Sequence, residues 1–511
     1  HRPIYICGEA ATFIPNSSFG SSFHPQSRDA PPYRLTLNPI LVTNMKRCKT
    51  ILIFLLLVLT WIALFWLTGK KTPWQIFAGK ESEAAYVISL GDMAGRNYDR
   101  MGFDSGKVLY VKSDGGWLVG TANGELIHFD EKGEELWSHS VGTGLIRGIA
   151  VSRDEKVVYA GEKSPEGTMY AMDVKNGDVL WTFRGDSLIG YEADIQSEPT
   201  AIDISTDAAG RVYAVFYRFT LDEKGQRTYL SRIISFDETG KERWRYPAKE
   251  NMDAWVNCGA ISESSGRFAF ATANYDKAKT EGLTYNENLY VLDSHTGTLL
   301  HAEKIPPVET FGTTTIRNGL SYSDDGKYLA VMASDGRGFL RDEDGRPIWE
   351  RSISKVMEIG GSYYFAAGRD ALFAGDKVLF GTINTFNREN WQLPAPVIHP
   401  SGNSLYAFDR DGKYLFRYTA PAEIEAIGVA GDVAALAIGR NVRNHDYKAH
   451  GAAVIRLSDG MLLNEYHTKG PLQTLAISSD GRYVAGIEVP AVTAEGNLLG
   501  AYRLHIWDRE K

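Results

Sequence analysis

From residue 84 onward, apolar and polar positions alternate along the chain in short runs bounded by Asp, Gly, Ser and Asn. This period of two predicts short, half-buried β-strands joined by tight turns. One motif recurs within the pattern: an apolar strand, an Asp, a turn closing on Gly, and a side chain four residues beyond that Gly which is usually aromatic. It reads FDEKGEELW (Gly133, Trp137), MDVKNGDVLW (Gly177, Trp181) and FDETGKERW (Gly240, Trp244). It continues as LDSHTGTLLH (Gly297, His301), RDEDGRPIW (Gly345, Trp349), FDRDGKYLF (Gly412, Phe416) and LSDGMLLN (Gly460, Asn464). Successive glycines stand 44, 63, 57, 48, 67 and 48 residues apart. A four-stranded propeller blade takes about 40–50 residues, so the longer intervals predict loop insertions.

Each motif reads as a hairpin between two outer strands. Glycine tolerates the positive φ of such a turn, and Asp bonds back to the backbone. Trp137, Trp181, Trp244, Trp349 and Phe416 then open the outermost strands, where they can dock on the next blade and bury a large apolar area. His301 and Asn464 weaken the motif in two blades. A second pattern marks the inner strands: GIAVSRDEKVVYA, AIDISTDAAGRVYAV, CGAISESSGRFAFA, GLSYSDDGKYLAV and TLAISSDGRYVAG. Aligning Ser152, Ser205, Ser262, Ser323 and Ser478 puts Arg147, Thr200, Asn257, Asn318 and Gln473 five residues ahead of each Ser, and the same register extends to Tyr363 and Glu425. All are polar. If they begin the inner strands they ring one mouth of a central channel, where they could hold a small polar ligand or a partner's loop.

Seven glycine turns and a last unit, LQTLAISSDGRYVAG…YRLHIWDREK, predict an all-β fold of about eight propeller blades over residues 84–511. That last unit ends before an outermost strand. The stretch AAYVISLGD, residues 84–92, is expected to supply it and so close the ring and remove its edges.

Ahead of the repeats the pattern changes. Residues 51–69, ILIFLLLVLTWIALFWLTG, form an uncharged run long enough to span a bilayer as one α-helix. Lys46, Arg47 and Lys49 give residues 45–50 a basic flank, and Lys70 and Lys71 follow the run. The expectation is an uncleaved signal anchor, a linker over 70–83 and a propeller on the extracytoplasmic side of the cell membrane. Residues 1–44 lack hydrophobic periodicity and read as disordered, or as a non-native leader before Met45.

Composition narrows the function classes. A net charge of -8 without a long basic run in the propeller speaks against a nucleic-acid partner. The cysteines are Cys7, Cys48 and Cys258. With no CxxC, thioredoxin-like redox chemistry, c-type haem attachment and cysteine-rich zinc sites are excluded, and Cys258 in VNCGAIS reads as a small buried hydrophobe. HDYKAH offers His445, Asp446 and His450 in a polar insertion, but an exposed loop is the simpler reading. No G-x-S-x-G elbow, H-E-x-x-H pair or P-loop occurs.

At these repeats, most clearly in YAMDVKNGDVLW at 170–181, the chain resembles the PQQ-like repeat propellers. The resemblance implies the fold and two function classes. One is a membrane-anchored scaffold that holds a partner protein or a ligand without catalysis or cofactor, its specificity carried by the insertions YRFTLDEKGQRTY, NYDKAKTEGLTYNEN and NTFNRENWQLPAP. The alternative is an exported PQQ-dependent dehydrogenase with Ca. Quinoprotein dehydrogenases of this family typically carry a vicinal Cys–Cys disulfide, a Ca²⁺ held by carboxylate and amide oxygens, and a catalytic Asp. No adjacent cysteines exist here, and no motif matches the other two, so no catalytic or metal residue is assigned.

Overall fold

The computed structural model describes residues 80–81, 83–93, 106–142, 144–191, 197–221, 227–272, 284–308, 314–387, 396–439, 449–493 and 495–511. The chain divides into two compact units, His1–Trp74 and Gln75–Lys511, and all described residues belong to the second. The expected anchor at 51–69, its basic flank and residues 1–44 lie outside the described residues. Among the described residues no helix is long and apolar enough to cross a membrane.

The described residues form eight sheets of four or five strands, with one additional two-stranded hairpin at Ala491–Val492 and Leu498–Leu499. Each sheet is a blade. The innermost strands of blades 1 to 8 are Lys107–Val111, Leu145–Val151, Thr200–Thr206, Val256–Ser262, Leu320–Tyr322, Ser362–Ala374, Ile424–Ala430 and Leu472–Ile477. Each touches the innermost strands on both sides, and blade 8 touches blade 1, so the strands close a ring around a central axis. Eight apolar clusters fill the wedges between neighbouring blades. The core is therefore distributed around the ring, and the axis is left to other side chains.

The repeat motif forms the turn between the third and fourth strands. At the first, Gly133 has φ 83° and its N–H donates to Asp130 O, while Asp130 Oδ1 accepts from the N–H groups of Lys132 and Glu134. The aromatic beyond the glycine then lies on the next blade's glycine. Trp137 packs against Gly177, Trp181 against Gly240, Trp244 against Gly297, Trp349 against Gly412 and Phe416 against Gly460. A Cβ at Gly177, Gly240, Gly297 or Gly460 would collide with the ring, and at Gly412 with the Arg351 guanidinium beside it. Each indole N–H also donates to a carbonyl across the interface: Trp137 to Val174 O, Trp181 to Glu238 O, Trp244 to Ser294 O and Trp349 to Arg410 O. His301 takes the same place against Gly345, and Asn464 accepts from Arg509 Nε.

Closure follows the reading of residues 84–92. Tyr86–Ser89 is the outermost strand of blade 8, antiparallel to Arg503–Asp508, with Tyr86 opposite Ile506 and Ser89 opposite Arg503. Ile88 then meets Gly133 of blade 1, standing where other blades present an aromatic. A further segment, Lys80–Glu81, pairs in parallel with Asn464 and Glu465 on the outer edge of blade 7. Cys258 is buried, and burial pushes its thiol pKa up, as expected of a packing residue.

Candidate functional site

Most innermost strands carry an irregularity near their start. The ladder register shifts between Ile146 and Gly148, Val256 and Cys258, Ile424 and Ala426, and Leu472 and Thr474. The residue skipped is Arg147, Asn257, Glu425 or Gln473 respectively, so four of the seven polar positions singled out from sequence are β-bulges. A bulge leaves its residue out of the ladder and re-aims the side chain. Blade 6 shifts twice, around Ala367 and Arg369. In blade 5, Asn318 stands just before its strand and bridges to Asp370.

Two of the seven fall elsewhere. Thr200 starts its strand two residues before the bulge of blade 3, which falls at Ile202, and is fully buried. The turn of that blade is built on Asp207, whose carboxylate accepts from the N–H groups of Ala209 and Arg211, so Ser205 is not the equivalent of Ser152. Tyr363 lies opposite Glu358 in a small hairpin with Met357–Ile359, six residues ahead of Arg369.

A continuous polar belt runs through blades 3 to 7. The N–H of Gly259 donates to Asp203 at 2.7 Å. Asn257 Nδ2 donates to Asn318 Oδ1 at 2.5 Å, and Asn318 bridges to Asp370. Arg369 donates through Nε to Asp370 at 3.0 Å and through Nη1 to Glu425 at 3.1 Å, with Glu423 3.6 Å from Nη1. Asn384 holds the other oxygen of Glu423. Burial works against the charge of Arg369, but Asp370, Glu425 and Glu423 outweigh it and hold its pKa above the ordinary value.

Lys107 and Arg147 face this belt from blades 1 and 2. Lys107 opens the innermost strand of blade 1 and is exposed to water. Its pKa is lowered, first by burial and then by Arg147 and Arg369, with Asp203 and Asp370 opposing. Asp203 is shifted up by burial, against the pull of Gly259 N–H and Lys107. Side chains of blades 1, 2, 3 and 6 thus act on one another's charge across the ring.

Sequence reasoning missed Lys107, Asp203, Arg369 and Asp370. For Lys107 a signal existed, because the Ser113-Asp114-Gly115 turn follows its strand much as the Ser-x-Asp turns follow others. Arg369 had none, since its strand turns at Gly375-Asp376 without a Ser.

Beside the same mouth, two hairpins outreach the rest. In blade 3 Val212–Leu221 pairs with Arg227–Phe236, and in blade 6 Ser362–Ala374 pairs with Lys377–Asn387. On the first, Tyr229 stacks on Trp255 of blade 4 at 5.1 Å between centroids, with Tyr217 beyond it. Arg147 lies over Tyr217 and Arg317 over Trp255. Of the other insertions, residues 274–283 and 388–395, Trp391 among them, lie outside the described residues, as do the His445–Asp446 pair and residues 222–226. His450 is buried.

Over residues 74–218 the chain matches the family described as outer membrane protein assembly factor BamB. Among solved structures it is similar to a europium-containing methanol dehydrogenase, with TM-score 0.53 and 12% identity over 83% of this chain and 92% of that one. It is similar also to the quinohemoprotein alcohol dehydrogenase ADHIIG from Pseudomonas putida HK5, with TM-score 0.51 and 12% identity over 83% and 76% of the two chains. The fold is a PQQ-like propeller. BamB from Moraxella catarrhalis aligns with TM-score 0.49 and 14% identity, over 83% of this chain and 99% of that one. No curated protein matches the sequence. At these identities the likeness is one of fold, and function has to be argued from the site.

The donor set on the axis does not fit a calcium-held quinone. Asp370 and Glu425 already bind Arg369, and Asp203 accepts from Gly259 N–H. Arg369 already takes the place among Asp370, Glu423 and Glu425 that a bound cation would need. Among the described residues no group of three or more His, Cys, Asp or Glu side chains could hold a metal ion.

Proposed function

We propose that this protein is a membrane-anchored scaffold whose propeller, held outside the cytoplasm by residues 51–69, binds a partner protein or ligand on the face where the inner strands begin. The observation that carries this reading is the convergence of charged and amide side chains from different blades at one mouth, beside two projecting hairpins and an aromatic platform. A rigid ring presents such groups with little ordering cost on binding, and the loops around the mouth vary without disturbing the blades. The match to an assembly-factor family over residues 74–218 supports a protein partner.

Affinity purification of the full chain from native membranes tests the proposal. The expected result is recovery of a protein in fixed proportion, lost when Arg147 and Asn318 are both changed to Ala. Undiminished recovery by the double variant argues against the mouth as the binding face. Stoichiometric PQQ and Ca²⁺ binding with dye reduction would instead favour the dehydrogenase alternative.

A further inference from the structure

The polar belt stops short of blade 8. From blade 3 to blade 7 each inner strand is tied to the next: Gly259 N–H to Asp203, Asn257 to Asn318, Asn318 to Asp370, and Arg369 to Glu425. Blade 8 presents Gln473 at the equivalent place. The register shift between Leu472 and Thr474 puts this residue out of the ladder, as other shifts do Arg147, Asn257 and Glu425. Those three side chains are engaged: Arg147 lies over the Tyr217 ring, Asn257 bonds Asn318, and Glu425 bonds Arg369. Gln473 is not. It is 6% exposed, and neither its amide nitrogen nor its amide oxygen has a hydrogen-bond partner.

An idle buried amide destabilises a fold, because it leaves a donor and an acceptor unmatched, whereas leucine fills a similar volume with neither. The fold alone gives no reason for glutamine at this bulge, so the chemistry of its side chain points to what it meets. Charge is not what the place lacks. Asp370, Glu423 and Glu425 surround Arg369, and Lys107 stands within electrostatic reach of Asp203 and Asp370. A carboxamide calls instead for a neutral group that shows one donor and one acceptor together. A residue in an extended peptide does so: its N–H and C=O lie on the same side, as when strands pair, and a carboxamide meets both at once. Gln473 has no hydrogen bond to break in turning toward the mouth.

We propose that Gln473 clamps the backbone of an extended peptide segment that a partner protein lays into the axial mouth. Its amide oxygen accepts from an N–H of that segment, and its amide nitrogen donates to the C=O of the same residue. This rests on the reading of the mouth as a protein-binding face, and it adds that recognition at blade 8 reads backbone and asks no charge of the segment.

Calorimetric titration of the full chain in detergent micelles with N-acetyl-trialanine methylamide tests it. The control is the same peptide N-methylated at every amide, which keeps its carbonyls and loses its N–H groups. The unmethylated peptide should bind saturably, one per chain, and the methylated one about tenfold or more weakly. Gln473→Leu should unfold at the wild-type temperature or above it, because the amide is idle in the free chain, and should bind both peptides alike. The proposal is overturned if the wild-type chain does not tell the two peptides apart, or if Gln473→Leu still does. It is overturned also if Gln473→Leu unfolds at a lower temperature, since water or the fold would then already satisfy the amide. Partner capture from native membranes, measured in parallel, separates the two ideas. A partner recovered by a chain without peptide preference removes only the clamp, and a peptide preference with no partner recovered removes only the scaffold.

Discussion

At the scale of single residues, polar groups inside this ring divide into those whose partners fix a protonation state and those on the axis still short of one. His399 belongs to the first kind. It is 3% exposed; its Nδ1 accepts from Ser401 N–H at 3.0 Å, and its Nε2 lies 2.7 Å from Lys355 O, to which it must donate. The ring is therefore neutral with its proton on Nε2, and burial lowers its pKa. The unfolded chain takes up this proton first, near the ordinary value of about 6.5. Stability is then fully present above that pH and declines as pH falls, by about 1.4 kcal/mol per unit, until the folded ring protonates. An NMR titration should show the His399 ring still neutral at pH 6.5, whereas protonation at or above that pH would contradict the hydrogen-bond assignment. The axial residues were only partly legible in the sequence. Arg147, Asn257, Glu425 and Gln473 stood out as polar groups leading an apolar strand. A bulge, however, depends on how two strands pair, so alignment could not tell that Arg369 and not Tyr363 takes this position in blade 6, or that Asp203 and not Thr200 reaches the axis from blade 3.

At the scale of the strand and hairpin, the sequence was far more explicit, because the same physics repeats. Glycine, Asp and the aromatic four residues beyond fix a turn, a strand start and an inter-blade contact together, each within about ten residues. The docking is a close fit: Trp244 is 7% exposed, rests on Gly297, donates to Ser294 O at 3.0 Å and packs with Tyr213 and Phe268. Trp244→Ala should cost roughly 3–5 kcal/mol, the range for emptying a large aromatic site. Trp244→Phe keeps most of the area and loses the indole hydrogen bond, so about 1 kcal/mol on that account is expected. Chemical denaturation of both variants checks the order, and equal losses would mean that the hydrogen bond and not the packing dominates. The residue just before each aromatic behaves differently. Leu136, Leu180, Ile348 and Leu415 are skipped by the ladder and remain exposed. Such bulges bend an outer edge away from regular pairing and so discourage edge-to-edge association. Ile348→Thr should thus change stability by no more than about 0.5 kcal/mol, and a larger loss would show that this side chain packs within its blade.

At the scale of the molecule, stability depends on joining two distant parts of the chain. The last three strands of blade 8 come from Leu472–Ile477, Tyr483–Glu488 and Arg503–Asp508, and the fourth from Tyr86–Ser89. The backbone bonds continue past that strand, from Ala85 N–H to Ile506 O and from Leu90 N–H to Tyr502 O. Ile88 covers Gly133 of blade 1, and Leu90 and Met93 enter the apolar cluster between blades 8 and 1. Removing this segment exposes that cluster and opens a strand edge in a fold that has otherwise paired or bent its edges. A chain that begins after residue 95 should therefore lose about 3 kcal/mol or more, since burying one large aliphatic side chain is worth roughly 1.5–3 kcal/mol. It should also associate through the uncovered edge of Arg503–Asp508. Thermal unfolding together with sedimentation checks both effects, and an unchanged midpoint with a monomeric profile would show that the other seven blades hold the ring without its closing strand. Ile88→Ser supplies the intermediate case. It keeps the backbone pairing with Arg503–Asp508 and removes only the apolar contact on Gly133, so it should soften the midpoint without inducing association. If Ile88→Ser instead associates as the truncated chain does, the side-chain wedge between blades 8 and 1, more than the hydrogen-bonded strand, is what keeps the ring shut.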